Sequence, residues 1–195
     1  MKLPVCKFDL ESDMLCPNCQ AKLDNGEITQ FDIGFSKWLL EREKEYPNLN
    51  DLSLSRAVQI DGRIVLIVKK KNKALLESQA DFINELKNLY GDVIIVEGSP
   101  KLRTVVRSFI HPAIEVGVNS LYLPDGTKES IVMLHSKDRE RITYSNEDLR
   151  KIVSAIMGQS VLFEYQDDRN KPKDETAEDE FDLKMKELSE RVPRR

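Results

Sequence analysis

Residues 111–135 read HPAIEVGVNSLYLPDGTKESIVMLH, and this stretch decides the fold. Two apolar-rich runs, AIEVGVNSLYLP and KESIVMLH, are joined across Asp125-Gly126, a dipeptide that accepts the positive φ angles of a tight hairpin turn. The same device stands earlier in the chain. LSLSRAVQI (52–60) and RIVLIVKK (63–70) read as period-two strands on either side of Asp61-Gly62. Working outward from each hairpin, the flanking elements also match. KLRTVVRSFIHP gives a helix closed by Pro112, SNEDLRKIVSAIM a helix ending at Gly158, and SVLFEY a last strand. In the first copy, IGFSKWLLEREKEY reads as an amphipathic helix with Asp32 as its N-cap and Pro47 as its stop. NKALLESQADFINELKNLY is helical up to Gly91, with a break in its middle allowed, and DVIIVEG is a short buried strand. Trp38, on the apolar face of the first helix, reads as core.

A repeated order of this kind predicts two copies of one small unit, each packing a sheet against helices, within an α+β chain. The 195 residues, 40% of them hydrophobic, suit one domain or two small ones. No apolar run approaches the roughly 20 residues of a membrane span, and MKLPVCKFD lacks the apolar core of a signal peptide, so a cytoplasmic, membrane-free protein is expected. The net charge of −4 does not advertise a nucleic-acid binder, so local patches must decide. His111 and His135 occupy non-equivalent places in the two copies. With no HExxH, P-loop, GxSxG or Rossmann fingerprint present, the chain reads as a non-enzyme and His111 as a packing or turn residue.

The repeated unit resembles the type II KH domain, and the tandem pair resembles the KH pair of NusA transcription factors. The stretches HPA, VGVN and PDG, in that order, carry most of the likeness. Archaeal NusA-like proteins, including those with a cysteine knuckle before the pair, are the relatives suggested. The resemblance covers about residues 28–166. It implies single-stranded RNA binding in transcription elongation or termination, through a GXXG loop that clamps the backbone of about four nucleotides. Here the corresponding positions are Glu77-Ser78-Gln79-Ala80 and Tyr144-Ser145-Asn146-Glu147. Neither holds a glycine, and each adds a carboxylate where phosphate would approach.

Basic residues nonetheless recur at equivalent places. Lys69, Lys70, Lys71 and Lys73 follow the first hairpin, and Lys137, Arg139 and Arg141 follow the second; Lys101, Arg103 and Arg107 on the connecting helix extend the set. Such cations can track an RNA backbone without reading sequence, or can simply be solvated loops. Two functions therefore stand side by side. One is a non-catalytic RNA-binding factor; the other is an interaction scaffold whose KH-like folds contact RNA polymerase or the ribosome.

All three cysteines lie in CKFDLESDMLCPNC (6–19). Cys6-x2-Asp9 and Cys16-x2-Cys19 have the spacing of two zinc knuckles, with Asp9 where a fourth thiolate would stand, and zinc accepts carboxylate oxygen as well as sulfur. A structural zinc, an unmetallated remnant and a redox CXXC are the three readings this spacing leaves open. The surrounding residues read as turn chemistry without periodicity. The expected organisation is a cysteine knuckle at 1–27, KH-like units at 28–99 and 100–166, and a charged tail at 167–195. In the tail, Phe181, Leu183, Met185 and Leu188 belong either to a short helix after an acidic linker or to a docking helix for a partner.

Overall fold

The computed structural model describes residues 1–124 and 126–167. Asp125 and the tail beyond Asp167, with the readings made of them above, lie outside the described residues. The fold is α+β, with seven α-helices and two three-stranded sheets among the described residues. In the first unit, α3 (Gln30–Arg42) precedes the hairpin β1 (Leu54–Ile60) and β2 (Arg63–Val68). Then come α4 (Asn72–Glu77), α5 (Ala80–Tyr90) and β3 (Asp92–Glu97). The second unit runs α6 (Leu102–Ile110), β4 (Gly117–Tyr122), β5 (Lys128–Leu134), α7 (Asn146–Met157) and β6 (Val161–Tyr165). Both sheets have the same plan. The hairpin strands pair antiparallel, and the last strand pairs parallel with the second, in the orders β1-β2-β3 and β4-β5-β6.

Asp61 and Gly62 take φ values of 45° and 72°, the left-handed pair that a type I′ turn requires. Gly91 closes α5 at φ 83°, and a Cβ there would collide with the Gly62 carbonyl. The start of β3 is thereby pressed against the hairpin turn, and only glycine fits. The predicted break in the central helix is present, and Ser78-Gln79 separates α4 from α5. In the second unit the place of α4 is taken by a single 3-10 turn, Ser136–Asp138.

Three sequence readings are corrected. Asp32 is not the N-cap of α3. Thr29 caps it, and Asp32 sits at N3 of a reciprocal capping box, its Oδ2 accepting the Thr29 N–H at 2.8 Å. Asp32 Oδ1 also accepts the Ala57 N–H at 2.6 Å, so this fully buried carboxylate ties α3 to β1. Second, RIVLIV is not an alternating strand, because β2 is covered on both faces. Ile64, Leu66 and Val68 face α3, α4 and α5, whereas Val65 and Ile67 join the core built around α6 and α7. A strand buried on both sides reads as a continuous apolar run. Third, β3 is a half-buried edge strand and not a buried one.

The core around α6 and α7 spans both units. Val58, Val65, Ile67 and Val96 of the first sheet meet Val105, Val106, Phe109 and Ile110 of α6 and Leu149, Ile152, Val153 and Ile156 of α7. The expectation that α6 shares its apolar face with the first unit holds. Among the described residues, no helix is long and apolar enough to cross a membrane.

Candidate metal centre and basic groove

The amino-terminal segment is not the irregular turn expected from its sequence. It holds two short helices, α1 (Lys7–Ser12) and α2 (Pro17–Asp24). Cys6 is the N-cap of α1 and Cys16 the N-cap of α2, while Asp9 and Cys19 lie three residues on, in the first turns. One helical turn puts residues i and i+3 on the same side. Each x2 spacing therefore delivers two ligands from one helix start, and the two starts converge. One ligand atom from each of Cys6, Asp9, Cys16 and Cys19 lies within 4.8 Å of all the others.

The sulfurs of Cys6 and Cys19 are 3.7 Å apart, close to the edge of a tetrahedron with metal–sulfur bonds of about 2.3 Å. Asp9 is 3% exposed and accepts the Cys16 N–H at 3.0 Å, and among the described residues no basic side chain forms an ion pair with it. A buried carboxylate without a cation beside three thiols is a donor set that fits a divalent metal. Hydrogen bonds from Cys19 and Cys16 hold the Asp9 carboxyl below its usual range. Burial, with Asp9 beside it, pushes the Cys19 thiol up to about 12. A metal must therefore displace a proton held in the middle of the cluster. Behind the ligands, Val5, Leu10, Cys19 and Ile28 form a small core that rests on Ile33 and Leu40 of α3.

The basic residues do not form one surface. Lys70, Lys73, Arg103 and Arg107 line a groove of about 1120 Å³ bounded by α4, α5, the edge strand β3 and α6. Its size exceeds the roughly 300–1,000 Å³ of small-molecule pockets and suits an extended ligand. Lys87, which sequence reasoning missed, adds a cation from α5, and His111 also lines the groove, as does Tyr144 from the second unit. Only the helical spacing from Ile83 and Asn84 could have pointed to Lys87. Glu77 and Glu97 lie in the same walls, and Glu97 accepts the Lys73 N–H at 3.3 Å. Arg107 is already matched: its guanidinium grips the buried Glu115 with three hydrogen bonds of 2.7–3.0 Å. Of Glu77-Ser78-Gln79-Ala80, Glu77 and Ala80 line the groove.

Lys137 and Arg141 line a separate, smaller concavity, with Arg141 bonded to Asp138 at 3.0 Å. Arg139 stacks on the Tyr165 ring at 4.3 Å beside the start of α7, in a further concavity that shares Tyr144 with the main groove. Lys69, Lys71 and Lys101 lie outside the groove lining.

Comparison with known proteins gives a curated relative. The chain is similar to a ribosomal protein. Small ribosomal subunit protein eS7z of Arabidopsis thaliana is 28% identical over 146 residues, covering 60% of this chain and 76% of that protein. No family model matches. Among solved structures, a crystal structure of APE1850 superposes with a TM-score of 0.47 at 14% identity, covering 64% of this chain and 96% of that one.

Proposed function

We propose that this chain is a non-catalytic RNA-binding factor that works on the ribosome or another RNA-containing machine. The observation that carries this reading is the groove between α5, β3 and α6, where Lys70, Lys73, Lys87 and Arg103 converge from four separate elements or loops. Cations gathered from distant parts of the sequence are not a by-product of one charged loop. An open groove of this kind holds a phosphate backbone by charge, with aromatic side chains such as Tyr144 available to stack on bases. The ribosomal relative supports the ribosome over RNA polymerase as the machine. The narrower reading, a NusA-like factor in transcription elongation or termination, belongs to the same proposal and rests on the KH resemblance.

The test is binding of the full chain to short single-stranded RNAs over a salt series. Four phosphate contacts on a single strand predict a slope of about −2.8 in log affinity against log salt, or about a 50-fold loss between about 50 and 200 mM. Lys70→Glu combined with Arg103→Glu should then remove most of the affinity, with little dependence on RNA sequence. Binding that ignores salt, or survives this pair of reversals, favours the scaffold reading, in which the groove receives protein.

A further inference from the structure

We propose that β4 pairs with β4 of a second copy of this chain, making a two-fold dimer with one continuous six-stranded sheet. The edges of the two sheets are treated differently. In the first unit, β1 is shielded: Lys2 donates to the Leu52 carbonyl at 2.8 Å and accepts from the Leu54 N–H at 2.9 Å, and the strand bulges between Leu54 and Arg56. Both are ordinary ways of protecting an edge. Its counterpart β4 has no such cover among the described residues, and its irregularity is confined to the start, where the Val116 N–H donates to the carbonyl of Met133, the partner of Gly117, at 2.8 Å. Among the described residues no strand pairs with its outer side, its register with β5 is unbroken, and residues 116–124, VGVNSLYLP, carry no charge. Leu121 and Tyr122 are 46% and 77% exposed. An uncharged, regular, apolar edge is a template for another strand.

The hydrogen-bond pattern specifies the pairing. The Leu123 N–H donates to the Thr127 carbonyl at 2.9 Å, and the register continues as Leu121 with Glu129, Asn119 with Ile131, and Gly117 with Met133. Main-chain groups alternate in direction along an antiparallel strand. The N–H and C=O groups of Val118, Ser120 and Tyr122 therefore point away from β5. A second β4 running antiparallel, with Ser120 on the two-fold axis, satisfies these groups. It sets Val118 opposite Tyr122 on one face and Asn119 opposite Leu121 on the other. Aromatic and β-branched residues in register are favourable cross-strand neighbours. Because the strand is uncharged, two copies of an acidic chain meet here without a like-charge pair. This self-complementarity selects a second copy over a foreign strand.

Sedimentation of the full chain over a range of loading concentrations tests the pairing. A concentration-dependent species of twice the 22.5 kDa chain mass is expected. Ser120→Pro deletes an outward N–H and leaves the bonds to β5 in place, and Tyr122→Lys puts a charge beside the axis. Each should weaken the dimer by about tenfold or more, with the secondary structure of the chain and its RNA affinity unchanged and the thermal midpoint no longer dependent on concentration. Should Ser120→Pro disturb folding, Tyr122→Lys carries the test alone. A chain that sediments as a monomer at every loading, or a dimer that persists in the folded variants, overturns the proposal.

Discussion

Removing metal from the purified protein should unfold residues 1–28 and leave the two sheet-and-helix units standing. About one zinc per chain is expected in protein prepared without chelator. The reason is the small number of apolar side chains in this segment. Val5, Leu10, Cys19 and Ile28 are the fully buried members of its core, far short of what holds so short a segment together unaided. Structural zinc supplies on the order of 10–16 kcal/mol to comparable small folds. Cys19→Ser removes the most buried ligand, 1% exposed, and should abolish metal binding and expose α1 and α2 to proteolysis. Asp9→Cys should raise the affinity, since thiolate is the softer donor. Metal analysis that finds no bound ion in protein never exposed to chelator would contradict the assignment, and the redox or remnant readings of Cys16-Pro17-Asn18-Cys19 would then be taken up again.

Phe109→Ala should destabilise the whole chain by about 3–5 kcal/mol, the range for emptying a buried aromatic site. Phe109 is 3% exposed and meets the Tyr144 ring edge-on at a centroid distance of 5.6 Å. It belongs to the cluster that also holds Val65 and Ile67 of β2 and Ile152 of α7. Its loss should therefore lower the stability of both units together, seen as one denaturation transition moved to lower denaturant. Two separate transitions, or backbone relaxation showing that residues 30–98 and 101–166 tumble independently, would contradict a shared core.

What the sequence made legible was local. The Asp61-Gly62 hairpin, the glycines after α5 and α7, and the Ser78-Gln79 break are set by one or two residues whose backbone preferences act in place. What it hid was reciprocal or non-local. Thr29 and Asp32 cap α3 as a pair, and either alone looks like a cap. The helices α1 and α2, at 6 and 8 residues, are too short to display a 3.6-residue period. The burial of β2 on both faces follows from α6 and α7, which arrive more than 30 residues later. For the site, the four-ligand spacing was readable because each half lies within one helical turn. The groove was not, because α4, α5, β3 and α6 assemble it in space. Lys70, Lys73 and Arg103, named from the sequence, line this groove together with Lys87, which the sequence did not single out, and Glu115 neutralises Arg107.

The layer formed by α6 and α7 between the two sheets has a bearing on engineering. Although its two sheets share one plan, the first unit does not stand as a portable part. Cut away after residue 99, it would turn Val58, Val65, Ile67 and Val96 toward water as an adhesive sheet. The two units depend on each other: the boundary between them in the sequence is not a seam in the object, and any grafting, truncation or fusion has to take the pair whole.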